Sequence, residues 1–353
     1  MERDFMRKAR PTRAGFRLGL VMLAALSLAA CGGLPEGGRP VPSEPTPKSN
    51  QLTYSAAAEQ AYGVFESQGR AVGSKLYSFG GFDVTRLPNY GPTNRAYVYD
   101  AVANTWQAIR SMPGCGVSHG GSATDGRYVY LAGGYPAATL SCEGQVFGTR
   151  SVWRYDPARN DYDQLPDLPE ARGGGQLEFL NGKLHYFGGS NLARNDVTTH
   201  YVLDVQGGAT SWQSAAPLPQ ATNHFGSAVL NGRIYAIGGQ TGQDGASTTL
   251  DVVQVYDPGS NTWTFAKPML RGRSHISAST FVLNGRIIVA GGETSYTATV
   301  ADVTAYDPVT NSWTAMTPLV SPRMAGLADA IGPTSFVFTG GSESKTTWRA
   351  TVK

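Results

Sequence analysis

Residues 281–313 read FVLNGRIIVAGGETSYTATVADVTAYDPVTNSW, and this stretch decides the fold. One apolar run precedes Asn284-Gly285, a second ends at Gly291-Gly292, and a third ends at Tyr306-Asp307-Pro308. Asn-Gly favours a tight turn between paired strands, and Asp-Pro followed by polar residues marks a further turn. The stretch therefore predicts three consecutive antiparallel strands, and the segment around Trp313 predicts a fourth.

The same arrangement recurs along most of the chain. Each recurrence contains a double glycine at the end of an apolar run, at Gly80-Gly81, Gly133-Gly134, Gly188-Gly189, Gly238-Gly239, Gly291-Gly292 and Gly340-Gly341. The intervals are 53, 55, 50, 53 and 49 residues. A period near 50 indicates repeated units that bury their faces against their neighbours.

Aromatic residues hold a fixed place in these units. A Tyr near the end of the third run is followed seven residues later by Trp or Tyr in four units, as Tyr99/Trp106, Tyr155/Tyr162, Tyr256/Trp263 and Tyr306/Trp313. The third unit departs from this spacing, with Trp212 eleven residues after Tyr201. Together with the double glycines, the pattern resembles the kelch repeat. The resemblance implies an all-β fold over residues 51–353, a six-bladed kelch-type β-propeller with four antiparallel strands per blade.

The two ends of this domain are expected to pair. The sixth unit supplies three predicted strands, near residues 325–331, 336–339 and 348–352, and no fourth follows them. Residues 51–55 alternate like a strand and precede the first unit. We predict that this N-terminal strand forms the outer strand of the last blade and closes the ring.

The N-terminal residues resemble a bacterial lipoprotein signal. Six basic residues precede an apolar run, and small residues then lead to Cys31-Gly32. We expect a signal peptide over residues 1–30, lipidation of Cys31, and a flexible Pro- and Gly-rich tether over residues 31–50. The resemblance implies a cell-envelope protein held on a bacterial membrane, with the outer membrane favoured, through its N-terminal lipid only.

Charge argues against a nucleic-acid partner. Residues 1–30 hold six of the 29 basic and two of the 26 acidic residues, so 23 basic and 24 acidic residues remain beyond them. A basic surface of the kind that binds nucleic acid is therefore not expected. Cys115 and Cys142 fall on one predicted rim of the second blade, and in an oxidising compartment we predict a disulfide between them.

The rim that carries the longest predicted loops is the expected functional face. Candidate ligand contacts on it are Arg172, His224, Arg273, His275, Arg323 and Glu293. Converging arginines would attract an anionic ligand, an acidic sugar or an acidic peptide. The alternative is that these arginines are structural and bond loop carbonyls. Loop aromatics that could stack on a ligand are Tyr90, Tyr135 and Tyr296.

Two functions from different classes remain open, beside a third interpretation as a purely structural envelope spacer. The first is a non-catalytic binding protein, a monomer that presents a loop-rich face to a protein or glycan. The alternative is a periplasmic sugar-processing enzyme, such as a mutarotase for acidic sugars of the sialic-acid type. An enzyme predicts a closed pocket where an Arg and a carboxylate converge, whereas a binding module predicts a broad face with exposed aromatic residues. No catalytic residue, cofactor or metal site is predicted, because Cys115 and Cys142 with His119 nearby are too few metal ligands. The five histidines are scattered along the sequence, which argues against a copper site like that of some kelch oxidases.

Overall fold

Six four-stranded antiparallel sheets make up the fold in the computed structural model, which describes residues 48–86 and 91–353. The predicted signal peptide, Cys31, most of the tether and Tyr90 lie outside the described residues. Within the described part of the chain, no helix combines the length and the apolar character needed to cross a membrane.

The strands follow one another outward from the centre of each blade. In the first three blades they are Gln68–Val72, Lys75–Phe79, Ala96–Asp100 and Thr105–Ile109; Gly121–Thr124, Val129–Ala132, Val152–Asp156 and Asp161–Gln164; and Gln176–Leu180, Lys183–Phe187, His200–Asp204 and Gln213–Ser214. In the last three they are Gly226–Leu230, Arg233–Ile237, Val253–Asp257 and Thr262–Phe265; Thr280–Leu283, Arg286–Ala290, Val303–Asp307 and Ser312–Met316; and Leu327–Gly332, Ser335–Thr339, Thr347–Val352 and Leu52–Ala57.

The first strands line the central axis and close a ring. Each packs beside the first strand of the next blade, and that of the sixth blade returns to the first. Leu52–Ala57 pairs antiparallel with Thr347–Val352, from Leu52 opposite Val352 to Ala57 opposite Thr347. The predicted six-bladed propeller and its closure by an N-terminal strand are confirmed.

The turn chemistry explains the hairpins. Asn231 and Gly232 both have positive φ, 53° and 73°, as a two-residue type I′ turn requires. Asp125-Gly126 differs, because only Gly126 has positive φ and the Asp125 carboxylate accepts the main-chain N–H groups of Arg127 and Tyr128. The double glycines end the second strands where blades crowd together. A Cβ at Gly188 of blade 3 would lie 2.8 Å from the ring of Phe225, which leads into blade 4.

A repeated set of hydrogen bonds joins neighbouring blades and explains the regular spacing of aromatic residues along the chain. In the fifth blade the Tyr306 hydroxyl donates to Asn311 Oδ1 at 2.8 Å, and the same oxygen accepts the N–H of Lys267 from the preceding blade. Trp313 Nε1 donates to the Lys267 carbonyl oxygen at 2.9 Å. Equivalent Tyr–Asn bonds are made by Tyr99 and Asn104, Tyr155 and Asn160, and Tyr256 and Asn261.

A buried ion pair joins the first strands of several blades. Arg70, on the first strand of blade 1, lies 3.1 Å from Glu178 of blade 3 and donates to the carbonyl oxygens of Ser122 and Thr280. Ser227 of blade 4 donates to the same Glu178 carboxylate at 2.6 Å. One guanidinium thus bonds residues of three other blades, and Arg70 and Glu178 also line a cavity of about 150 Å³.

All loops between second and third strands lie on one face, together with the segments that lead into each blade. We call it the mouth face. Three short ribbons extend it, formed by Val64–Phe65 with Phe82–Asp83, Val117–Ser118 with Tyr135–Pro136, and Gln240–Thr241 with Thr248–Thr249. Two 3₁₀ turns, Val84–Arg86 and Asp244–Ala246, belong to the same loops. Cys115 and Cys142 form a disulfide on this face, as their expected positions predict.

Candidate functional site

Six residues at equivalent positions form a ring around the axis on the mouth face. They lead into the six blades in order: Glu66, His119, Gly174, His224, His275 and Ala325. All have φ between 51° and 66°. Five N–H groups donate to the carbonyl oxygen of the preceding member at 2.8–3.2 Å. We call this set the mouth ring.

The four long side chains of the mouth ring meet one another. Glu66 Oε1 lies 3.6 Å from His119 Nε2 and 3.8 Å from His275 Nε2. The ring centroids of His119 and His224 are 4.9 Å apart, and those of His224 and His275 are 4.6 Å apart. Gly174 lies between His119 and His224 in the mouth ring, where a Cβ would come within 3.4 Å of the His224 imidazole. One carboxyl group and three imidazoles therefore converge.

The side chain of the residue that precedes each of the three histidines forms a hydrogen bond with the Nδ1 atom of that histidine. Ser118 Oγ lies 2.8 Å from His119 Nδ1, and Ser274 Oγ lies 3.1 Å from His275 Nδ1. Asn223 Oδ1 bonds His224 Nδ1. A hydrogen bond at one ring nitrogen fixes the tautomer and the orientation of the other. This repeated contact leaves the Nε2 atoms of His119 and His275 facing Glu66.

Burial dominates the electrostatics of the cluster. It raises the pKa of Glu66 to about 8, and the nearby carboxylate of Glu293 adds to that rise. Burial lowers the pKa of His275 to about 4. The pKa values of His119 and His224 are held well below the usual range, by burial first and by His275 second. The imidazoles of the mouth ring are therefore uncharged at neutral pH.

A cavity of about 190 Å³ opens onto this cluster. The three histidines line it together with polar and aromatic side chains from the loops of blades 1 to 5: Phe82, Tyr135, Gln145, Phe147, Arg194, Gln240, Gln243, Asp244 and Tyr296. Arg194 forms a bidentate ion pair with Asp244, at 2.8 and 3.1 Å, and lies over the Phe147 ring. Cavities of about 150 Å³ accept a six-membered ring, so one ring-sized polar ligand fits here.

The sequence-predicted candidates separate into two groups. His224 and His275 line the cavity, and Glu293 Oε2 lies 3.4 Å from His275 Nδ1. Of the loop aromatics, Tyr135 and Tyr296 also line it. These residues come from blades 2, 4 and 5, so the closed ring brings them together.

The three candidate arginines are held by their own surroundings. Arg273 is 1% exposed and donates to the carbonyl oxygens of Val289, Gly291 and Asp302. Arg172 bonds the Ala171 carbonyl, Glu170 and Thr199. Arg323 bonds the Pro322 carbonyl and the hydroxyls of Ser344 and Thr346. These contacts agree with the alternative in which the arginines are structural. The arginine that lines the cavity is Arg194.

The five histidines, which are scattered along the sequence, form two groups in the structure. Three meet at the mouth ring, and the other two form a buried pair in blade 3, with His185 Nδ1 3.0 Å from His200 Nε2. Glu66 and His119 were missed because they lie outside the Gly-Gly and Tyr–Trp pattern. A sequence signal existed, since the six mouth-ring positions recur at intervals of 53, 55, 50, 51 and 50 residues.

A larger cavity of about 750 Å³ lies on the opposite face, between blades 3 and 4. It opens where the outer strand of blade 3, Gln213–Ser214, is only two residues long. Its lining combines strand residues, such as His185 and Tyr256, with hairpin-turn residues, such as Asn181 and Asn261. Size alone does not identify the site, and the smaller cavity on the mouth face is favoured because three imidazoles meet a carboxyl group beside it.

Comparison with known proteins agrees with this architecture. The KLHDC2/KLHL20/DRC7 Kelch-repeats domain matches residues 126–341, and the Kelch motif matches residues 70–113. The chain belongs to the kelch-repeat family. The solved structure titled "Structure of YjhT" aligns with this kelch propeller at a TM-score of 0.66 and 18% identity, over 84% of this chain and 96% of the other. That likeness shows the fold.

Curated relatives share the kelch region. Kelch repeat-containing protein At3g27220 of Arabidopsis thaliana is 29% identical over 194 residues, 51% of this chain and 44% of that protein. Kelch-like protein terF of Aspergillus terreus is 26% identical over 237 residues, 65% of this chain and 50% of that protein. The kelch propeller thus spans about half the length of these relatives.

Proposed function

We propose that this kelch propeller binds a small polar ligand, a monosaccharide or its acid form, in the mouth cavity and acts on it as a sugar-processing enzyme. The observation that carries the proposal is the convergence of Glu66 and three imidazoles beside a ring-sized cavity. An arginine, Arg194, and a carboxylate, Asp244, line the same space. A concave site where ionisable groups converge favours an enzyme pocket over a broad binding face.

The cavity suits chemistry at an anomeric centre. Opening a sugar hemiacetal needs one group that gives a proton to the ring oxygen and another that takes the proton of the anomeric hydroxyl. Imidazole and carboxyl side chains are the usual groups for such transfers, and several of them border one ring-sized space here. A mutarotase for an acidic sugar is the reaction that this supports best.

Anomer exchange measured by NMR tests the proposal. The rate of α–β interconversion of a sialic acid and of uronic acids is compared with and without the protein. The expected result is an acceleration that the His224→Ala variant loses. The Arg233→Ala variant is the control, because Arg233 pairs with Asp257 on the opposite face. Equal rates with protein and with buffer would contradict an enzyme of this class.

Non-catalytic binding of a protein or glycan is the second candidate. Leu140 and Leu192, in loops of the mouth face, and Tyr296 at the cavity are strongly exposed. Exposed apolar and aromatic side chains around a polar site are typical of interaction surfaces. If the mouth face binds a macromolecule, Leu140→Ser and Leu192→Ser will weaken capture of that partner while small sugars still bind.

We also propose that the protein is a monomer anchored in the bacterial envelope through lipid on Cys31. The support is the order of basic residues, apolar run and Cys31 in the N-terminal sequence. The Cys31→Ser variant is expected to move the protein from the membrane fraction to the soluble fraction. Retention of that variant in membranes, with lipid still attached, would contradict the anchor.

A further inference from the structure

Among the described residues, one oxygen atom of the Glu66 carboxyl group lacks the hydrogen bond that a buried polar atom usually has. This atom, Oε1, is fully buried. The side chain is only 6% exposed, and the Nε2 atoms of His119 and His275 lie 3.6 and 3.8 Å from this oxygen. Buried carboxyl oxygens without partners are costly, so a retained one is explained by something that binds there.

The surrounding imidazoles are oriented as ligands. Asn223 Nδ2 donates to Asp196 Oδ1 at 2.5 Å and to the Gly242 carbonyl oxygen at 3.3 Å. The Asn223 amide oxygen therefore faces His224 and accepts its Nδ1 proton, which leaves Nε2 of His224 with a free lone pair. Such outer contacts are what hold metal-binding histidines in place.

His275 has the same kind of support. Its Nδ1 atom lies 3.4 Å from Glu293 Oε2 and 3.1 Å from Ser274 Oγ. A carboxylate behind a histidine fixes its ring and raises its strength as a ligand. One ligand atom each from Glu66, His224 and His275 can be chosen so that all three lie within 4.8 Å of one another.

We propose that Glu66, His224 and His275 bind one divalent transition-metal ion of the zinc class at the mouth ring. Two imidazole nitrogens and one carboxylate oxygen match the preference of Zn²⁺, whereas Mg²⁺ and Ca²⁺ prefer oxygen ligands only. Ligand atoms in a tetrahedral zinc site lie about 3.4 Å apart. The present spacing reaches this after a side-chain movement of roughly an ångström.

Three protein ligands leave one coordination position open. Catalytic zinc sites have this composition, and structural zinc sites have four protein ligands. Because His224 and His275 line the mouth cavity, the open position faces the space assigned to the ligand. A hydroxyl or carboxylate of the sugar would take the open coordination position, and this step rests on the proposed function. Metal binding itself does not rest on it.

Zinc and cobalt titration of the chelator-stripped protein tests the site without any sugar. Calorimetry with Zn²⁺ and visible absorption with Co²⁺ are expected to give one ion per chain. The Glu66→Gly and His224→Ala variants are expected to lose at least about 100-fold in affinity, and Glu293→Gln about 10-fold. Thermal unfolding of each variant in chelator shows that the fold is retained.

The buried His185–His200 pair provides the matched control. His185→Asn is expected to leave the zinc stoichiometry and affinity unchanged. Absence of binding, or binding that survives both mouth-ring variants or that is lost with His185→Asn, would overturn the proposal. Sugar binding by the zinc-free protein would leave the proposed function intact even then, so the two failures are distinguishable.

Discussion

His275 Nε2 lies 3.8 Å from Glu66 Oε1, although one residue leads into the fifth blade and the other into the first. No hydrogen bond joins the two atoms at this distance, and the His275 and Glu66 side chains are 18% and 6% exposed. The contact exists because the first strands close a ring and present equivalent residues to one axis. It places a reactive cluster where loops from five blades border a small cavity.

Glu66→Gly is predicted to raise the free energy of unfolding by about 1 kcal/mol. The change removes a buried carboxyl oxygen, Oε1, that has no hydrogen-bond partner in the described part of the chain, and it relieves a non-glycine residue at a φ of 53°. Urea unfolding in chelator measures it. Ala325→Gly, at an equivalent position with a φ of 55°, is the control for the backbone effect alone. A loss of stability in Glu66→Gly beyond that control would mean that the carboxyl group stabilises the fold.

Leu52→Ala is predicted to cost about 3 kcal/mol of unfolding free energy. Leu52 is 4% exposed and packs with residues of the last blade, such as Phe336 and Ala350. The closing strand therefore contributes core as well as hydrogen bonds. Chemical unfolding measures the loss, and Ser55→Ala on the exposed side of the same strand is the control. Equal values for the two variants would contradict the closure by this strand.

Reduction of the Cys115–Cys142 disulfide is predicted to weaken ligand binding more than it weakens the fold. The bridge ties the loop that supplies Gln145 and Phe147 to the cavity. Titration of free thiols in the denatured protein should find two more after reduction. Binding measured before and after reduction gives the effect, and a Cys115→Ser/Cys142→Ser variant repeats it without reductant. Unchanged affinity in both cases would show that the loop holds its position unaided.

The His185–His200 pair is predicted to make the fold sensitive to acid. Burial lowers the pKa of His185 to about 3, and the nearby His200 and Lys183 contribute to this lowering. Burial also lowers the pKa of His200 to about 4. Between pH 6.5 and about 4 the unfolded chain binds more protons at these sites, so stability falls as pH falls. A His185→Asn/His200→Asn variant should lose less stability than the wild type over this range, by a few kcal/mol at about 1.4 kcal/mol per pKa unit. Parallel stability curves would contradict this role.

The fold could be predicted because its determinants are local and repeated. Double glycines, Asn-Gly turns and the Tyr–Trp spacing each specify a strand end or a turn, and six copies specify a ring. The third blade shows the limit of that approach. Its longer turn before Trp212 gave no indication that the outer strand would shorten to Gln213–Ser214 and open a cleft.

The site could be predicted only in part. His224, His275 and Glu293 were identified from their positions on the mouth face, but Glu66 and His119 were not, because their proximity arises only when the ring closes. The candidate arginines were chosen for their charge. The Arg273 guanidinium, however, is buried and donates its N–H groups to main-chain carbonyl oxygens. Arg194 lies in a polar loop with no sequence feature that marks it as the cavity arginine.

The measurement that tests the central claim most directly is calorimetric titration of acidic and neutral monosaccharides into the wild type, Arg194→Ala and Arg233→Ala. Arg194 lines the mouth cavity and pairs with Asp244, whereas Arg233 forms a comparable pair with Asp257 on the opposite face. We predict that one acidic sugar binds the wild type and Arg233→Ala equally and binds Arg194→Ala at least about 10-fold more weakly, in line with the usual strength of a charge-assisted hydrogen bond. Equal binding to all three proteins, or binding to none, would contradict a sugar site at the mouth cavity.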